Sequence, residues 1–212
     1  MSTVIGKCEL FNEDCMITMA RYPDKHFDLA IVDPPYGILN KTKRGTQRSP
    51  HLYKVRAEGW DSVPDEIYFN EIMRVSENQI ICGGNYFNLP LTNAWIFWHK
   101  HQPIENYSVG EMLWTSFDMN TKIFDLPCYG NIGQDGVRFH PTQKPIKLYE
   151  WLLTNYAKSG QRILDTHLGS GSHAIACNNL GFELTACELD TDYYNASIER
   201  ITQATAQLRM FA

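Results

Sequence analysis

A single α/β domain over residues 1–212, with a mostly parallel sheet and helices on both faces, is what this sequence predicts. Two stretches carry the prediction. The first is Phe27-Asp28-Leu29-Ala30-Ile31-Val32-Asp33-Pro34-Pro35-Tyr36. Leu29 to Val32 is a short apolar run, the pattern of a strand buried on both faces. Proline has no backbone N–H and a fixed φ, so Asp33-Pro34-Pro35 must leave the sheet at its carboxyl end. Ligand crevices of open α/β sheets lie there. The second is the run from Gln161 to Glu188, which reads strand, glycine-rich turn, helix, strand.

The remaining elements follow in order. Cys8–Phe11 is a strand that turns at Asn12-Glu13-Asp14. A short helix from about Cys15 to Tyr22 buries Met16, Met19 and Ala20. Asp14 stands at a strand-to-helix corner, where an N-cap and a ligand contact are equally good readings. Residues 37–60 are a polar, basic loop with no apolar period. Asp65–Ser76 is a helix offering Ile67, Phe69, Ile72, Met73 and Val75 for burial. Gln79–Cys82 is a strand broken by Gly83-Gly84, and Ala94–Trp98, Glu111–Trp114 and Lys122–Phe124 are further short strands. The region 117–139 is otherwise irregular.

His140-Pro141-Thr142-Gln143-Lys144-Pro145 leads into a helix. Pro145 suits its first position, Ile146, Tyr149, Leu152, Leu153 and Tyr156 form its stripe, and Gly160 ends it. Gln161–Asp165 is a strand, Thr166–Ser172 the turn, His173–Leu180 a helix closed by Gly181, and Phe182–Cys187 a strand ending at Glu188. Asp190 or Thr191 caps a last helix running to about Gln207, with Tyr194, Ile198 and Ile201 inward.

Composition excludes several classes. At 43% hydrophobic and 20% charged the chain is ordinary for a globular protein. No apolar run approaches the about 18 residues of a membrane span, and the start lacks a signal-peptide core. The expected location is cytoplasmic. Six scattered cysteines without a Cys-x-x-Cys pair read as reduced, buried thiols. His99-Lys100-His101 is too tight and too cationic for zinc, so no metal is expected.

A net charge of −5 argues against a general nucleic-acid binder. Its distribution argues the other way. Lys41, Lys43, Arg44, Arg48, Lys54 and Arg56 lie in one stretch free of acids, leaving 13 of the 19 basic residues against 24 acids elsewhere. Such a loop suits phosphate contacts, with Tyr53 and His51 for stacking. A solvated loop is the plainer reading, and position beside Tyr36 favours DNA.

Asp33, Pro34, Pro35 and Tyr36 read as an amine-holding group, and the plainer reading is a strand-to-turn exit with Asp33 capping and Tyr36 packing. The exocyclic amine of adenine is a poor nucleophile because its lone pair is delocalised into the ring. A carboxylate and a carbonyl that accept its N–H hydrogens localise that pair, and an aromatic ring stacks on a base drawn from a helix. In the late unit, glycines admit close approach of a ligand, the helix N-terminus offers free N–H groups, and Glu188 can bind ribose hydroxyls. Gly169-Ser170-Gly171-Ser172-His173-Ala174 also fits a dinucleotide fingerprint, so an NAD-dependent dehydrogenase competes on that unit alone. Too little chain follows for a second dinucleotide half, and a dehydrogenase gives no reason for Asp33–Tyr36.

The order Asp-Pro-Pro-Tyr, then His-Pro-Thr-Gln-Lys-Pro, then Gly-x-Gly resembles the β class of S-adenosylmethionine (SAM)-dependent amino-methyltransferases, especially small adenine-N6 enzymes of phage and restriction-modification type. The resemblance spans about Gly6 to Arg200. It implies a Rossmann-like methyltransferase sheet with permuted motif order. Asp33, Pro34, Pro35 and Tyr36 would hold the target amine. Glu188 would bind the SAM ribose, and Asp165, Gly169 and Gly171 would line the methionine and ribose side, with His167, Ser170 and Ser172 in the same turn. Thr142 and Lys144 would meet the methionine end, and Asp14 and Cys15 the cofactor adenine.

This sequence departs from the family pattern at Asp165-Thr166-His167, where Asp-Pro-Phe is frequent, and at Glu13, where glycine is usual. The usual long recognition insert is missing or short, leaving 37–60 and 117–139 to read double-stranded DNA. The resemblance implies methylation of adenine N6 on double-stranded DNA. Cytosine-N4 methylation by the same mechanism, RNA adenine methylation and a catalytically idle nucleic-acid-binding module are the alternatives. A homodimer and a restriction endonuclease partner are compatible with it.

Overall fold

The computed structural model describes residues 2–38, 62–102, 108–127, 140 and 142–210. The elements are β1 (Ser2–Ile5), β2 (Cys8–Asn12), α1 (Cys15–Ala20), β3 (Phe27–Val32), α2 (Glu66–Val75), β4 (Ser76–Cys82), β5 (Trp95–His99), β6 (Gly110–Thr115), β7 (Lys122–Asp125), α3 (Ile146–Tyr156), β8 (Arg162–Asp165), α4 (Ser172–Leu180), β9 (Glu183–Glu188) and α5 (Thr191–Met210). One sheet orders the strands β1-β2-β9-β8-β3-β4-β6-β5-β7. The run β2-β9-β8-β3-β4 is parallel throughout, while β6 is antiparallel to both of its neighbours.

The apolar run Leu29–Val32 is the central strand, because its alternate side chains feed two cores. Leu29 and Ile31 pack with Leu148, Leu152, Ile175 and Ile201 on the face carrying α3, α4 and α5. Ala30 and Val32 pack with Met19, Tyr68, Phe69 and Ile72 on the face carrying α1 and α2. Neighbouring strands divide the same way, Ile163 with the first core and Leu164 with the second. Each fully buried Leu or Ile contributes about 1.5–3 kcal/mol on this account. The expected mostly parallel α/β sheet with helices on both faces is the observed one.

Several local expectations are corrected. β1 was not anticipated; it is a short edge strand paired antiparallel to β2. The buried stripe of α2 is Tyr68, Phe69, Ile72 and Val75, and Ile67 is 65% exposed. In α1, Thr18 is buried where Ala20 was expected, since its hydroxyl donates to Glu13 at 2.6 Å. Pro145 is the N-cap of α3 rather than its first residue, and the helix ends at Tyr156, well before Gly160. The strand expected at Lys122–Phe124 is present as β7, one residue longer and paired in parallel with β5. The basic residues Lys41, Lys43, Arg44, Arg48, Lys54 and Arg56, together with 128–139 and Cys128, lie outside the described residues.

β3 and β8 are adjacent and parallel, with Leu29 beside Ile163 and Ala30 beside Leu164. From this pair the chain proceeds to β4 on one side and to β9 on the other. Such a reversal of winding opens a crevice at the strands' carboxyl ends. Asp33 leaves β3 and Thr166 leaves β8 at that crevice.

Candidate active site

Asp33, Pro34, Pro35 and Tyr36 line one cleft together with Gly169, Ser170, Ser172 and Glu188. Its volume is about 1180 Å³, above the roughly 300–1,000 Å³ of an ordinary small-molecule pocket. Asp14, Cys15, Thr142, Lys144 and His167 also face it. Asp165 and Gly171 do not.

Asp165 is buried behind the wall, where it shapes the turn. Its Oδ1 accepts from the His167 N–H at 3.0 Å and its Oδ2 lies 3.0 Å from His173 Nδ1. Gly171 caps α4 at φ +77°, and a Cβ there would stand 2.8 Å from the Ile201 side chain, so any other residue is strained there. Glu188 fastens the same turn, accepting from Gly169 N at 2.9 Å and Asp190 N at 3.0 Å. Burial raises the Glu188 pKa against those two N–H groups.

The two departures from the family pattern have visible partners. Thr166 Oγ1 lies 2.6 Å from the Tyr68 hydroxyl and 2.9 Å from His167 Nδ1. Burial lowers the His167 pKa to about 4, so this imidazole is neutral at pH 7. Glu13 pairs with Arg21 and donates its N–H to the Glu188 carbonyl at 3.1 Å, tying the β2 end to the β9 end. Asp14 is the N-cap of α1, its Oδ1 accepting from Met16 N at 2.7 Å. Cys15 is not thiolate-prone, because burial pushes its thiol to about 12.

The centre of the cleft is a charge network. Lys144 Nζ donates to Asp33 at 2.8 Å (Oδ1) and 2.7 Å (Oδ2), and lies 2.8 Å from Glu111 Oε1. The Tyr36 hydroxyl stands 2.6 Å from Asp33 Oδ1 and 2.7 Å from Glu111 Oε1. Lys100 donates to the other Glu111 oxygen at 2.6 Å. These groups are nearly desolvated, with side-chain exposures of 6% for Lys144, 13% for Asp33 and 11% for Glu111. Burial and the Glu111 charge raise the Asp33 pKa against the opposing Lys144 ammonium. Burial would raise Glu111 too, but the Lys144 and Lys100 charges outweigh it and hold it at about 2. Tyr36 is fixed further by stacking on Tyr86, centroids 5.1 Å apart and rings 17° from parallel.

Two residues here escaped the sequence reading. Glu111 opens β6, and nothing around it forms a motif. Gln143 faces the cleft at 7% exposure, and neither its Nε2 nor its Oε1 has a partner among the described residues. Buried amides are normally satisfied, which sets this one apart among the residues facing the cleft. Outside the cleft, the parallel register of β5 and β7 places Asp125 beside His99, and His101 joins them. Adjacent histidines in sequence could not reveal that acid.

A family model described as DNA methylase matches residues 86–199, beyond the Asp33–Tyr36 corner. The Type II methyltransferase M.HinfI of Haemophilus influenzae is 23% identical over 241 residues, covering 90% of this chain and 67% of that protein. Among solved structures, the M1.HpyAVI–SAM complex matches with a TM-score of 0.59 at 16% identity, over 91% of this chain and 99% of that one. PvuII DNA methyltransferase, cytosine-N4-specific, matches with a TM-score of 0.62 at 13% identity, over 95% and 92%. With more than half of its residues inside the family match and its sheet shared with these methyltransferases, the chain belongs to the N6/N4 DNA methylase family.

Proposed function

We propose that this protein transfers the methyl group of SAM to the N6 amine of an adenine flipped out of double-stranded DNA. The observation that carries the reading is the single cleft shared by Asp33–Tyr36 and the Gly169 turn. An amine holder and a nucleotide-binding turn in one hollow suit a transfer between two bound nucleosides.

The residues present fit SAM. Glu188 keeps a free lone pair on each oxygen for ribose hydroxyls after accepting from Gly169 and Asp190. The unpartnered Gln143 amide suits the methionine ammonium or carboxylate, with Thr142 beside it. Lys144 is engaged by Asp33 and Glu111, which makes it a support for the catalytic acid. When bound, SAM supplies an electrophilic methyl group on a sulfonium.

The chain's own residues do the rest. Asp33 and the Pro34 carbonyl accept the amine N–H hydrogens, localising the nitrogen lone pair toward the methyl carbon. Positioning of this kind supplies much of the rate. Tyr36 walls the base pocket. No enzyme nucleophile is needed, and the buried high-pKa cysteines offer none. Adenine is preferred over cytosine because the resemblance associates Asp at the first motif position with adenine. The basic loop 37–60 and the segment 117–139 would contact DNA.

The test is nucleoside mass spectrometry of DNA and RNA incubated with enzyme and SAM. N6-methyladenine in DNA is expected. N4-methylcytosine would reassign the base, methylated RNA the substrate, and no methylated nucleoside would leave an idle binding module. Asp33→Ala is expected to retain SAM binding by calorimetry while losing most turnover.

A further inference from the structure

Methylating a neutral amine creates a charge that the protein must clear. As the nitrogen forms its bond to the methyl carbon, the S–C pair returns to sulfur and the nitrogen becomes cationic. One N–H pair must then go back to nitrogen and its proton elsewhere. Beside side chains as buried as Asp33 and Glu111, a protein carboxylate is the nearest acceptor for that proton.

The Asp33 network has a place for one proton. Lys144 brings three N–H donors, and Tyr36 has a single O–H. Yet the Tyr36 oxygen stands 2.6 Å from Asp33 and 2.7 Å from Glu111, and one hydroxyl proton cannot serve both. Both contacts become hydrogen bonds only when one carboxylate carries a proton and donates it to the tyrosine oxygen. With Asp33 and Glu111 both ionised against Lys144 and Lys100 the charges sum to zero, and the cluster has room for one more proton.

Resting on the methyl-transfer reading, we propose that Asp33, Tyr36 and Glu111 form a proton acceptor that takes up the proton shed by the methylated amine. Asp33 receives it from nitrogen. Protonated Asp33 then donates to the Tyr36 oxygen while the Tyr36 hydroxyl donates to Glu111, which stays ionised with its remote oxygen pinned by Lys100 at 2.6 Å. Glu111 does not touch the base; it is a positioning residue acting through Tyr36 and Lys144. Its charge also makes Asp33 a stronger base than a lone aspartate beside a lysine. Among the described residues, the other titratable groups facing the cluster are Cys82 and Tyr149, both held neutral by burial.

The isosteric Glu111→Gln variant tests this in two ways. In free protein with 13C-labelled aspartate, the Asp33 carboxyl is expected to titrate at lower pH in Glu111→Gln than in the parent, whether or not methyl transfer occurs. An unmoved Asp33 titration overturns the shared acceptor. In single-turnover methyl transfer, Glu111→Gln should lose at least tenfold in rate, at the low end of the roughly 10²–10⁴-fold range of acid–base assistance or just below it. The acid limb of its pH profile should move to lower pH, with SAM affinity unchanged. A slower variant with an unmoved limb would mark Glu111 as purely structural and defeat the proposal. A parent enzyme that methylates nothing while the Asp33 titration shifts would sink the methyl-transfer reading and leave the coupled carboxylates standing.

Discussion

Gly83 presents its bare α-carbon to the ring of Tyr36: a Cβ built there would lie 2.4 Å from the Tyr36 Cε1 atom. The residue is also left-handed, at φ +66°. Gly83→Ala is therefore expected to push Tyr36 away from Asp33 and Glu111 and to cost on the order of 1–3 kcal/mol. Urea unfolding gives the stability loss, and methyl transfer should fall more steeply than SAM affinity.

Lys144 is the only cation within bonding distance of both carboxylates among the described residues, except that Lys100 reaches Glu111. Lys144→Met leaves Asp33 buried without its counter-charge, and removing one partner of such a pair costs about 3–5 kcal/mol. Adding Asp33→Asn and Glu111→Gln should recover part of that stability and none of the activity. A triple variant no more stable than Lys144→Met would contradict the charge account.

The neutral His167 makes stability depend on pH. Its folded pKa of about 4 lies below its ordinary value of 6.5, so the unfolded chain binds the proton first. The stability contribution is complete above that ordinary value and is lost as pH falls toward the folded one, by up to roughly 3 kcal/mol. His167→Gln should flatten this dependence. Parallel denaturant curves of parent and variant across that window measure it.

Asp165 is a scaffold for the turn rather than part of the cleft surface. Asp165→Ala removes acceptors from the His167 N–H and from His173, whose imidazole is 1% exposed. A loss of about 2–4 kcal/mol is expected, two charge-assisted bonds at 1.5–3 kcal/mol each with partial relaxation. SAM affinity should fall only as far as the folded fraction does, since Asp165 does not line the cleft. A large affinity loss in a stably folded variant would reassign it to the cofactor.

The central strand and the late βαβ unit were legible in the sequence because their signals are local: an apolar run stopped by two prolines, and glycines at a strand-to-helix corner. Lys144 meets a carboxylate in the cleft. Which carboxylate could not be read, because Asp33 lies 111 positions away and only the adjacency of β3 with the crevice joins them. Glu111 carried no signal at all, since Gly110-Glu111-Met112-Leu113-Trp114 looks like any short strand. Ile67 was misjudged for a related reason: helical period marks a stripe, but tertiary packing chooses the angle at which it faces the sheet.

The reversed direction of β6 has a consequence for how such enzymes diverge. Because it runs against β4, its beginning, not its end, abuts the mouth of the parallel strands, and Gly83 N donates to the Met112 carbonyl there at 2.8 Å. Glu111 and its partner Lys100, unlike Lys144 and Tyr36, thus travel on the β5–β6 ribbon, outside the three motifs. Swapping that β5–β6 ribbon between relatives would transplant a preferred working acidity while leaving base choice and donor choice behind.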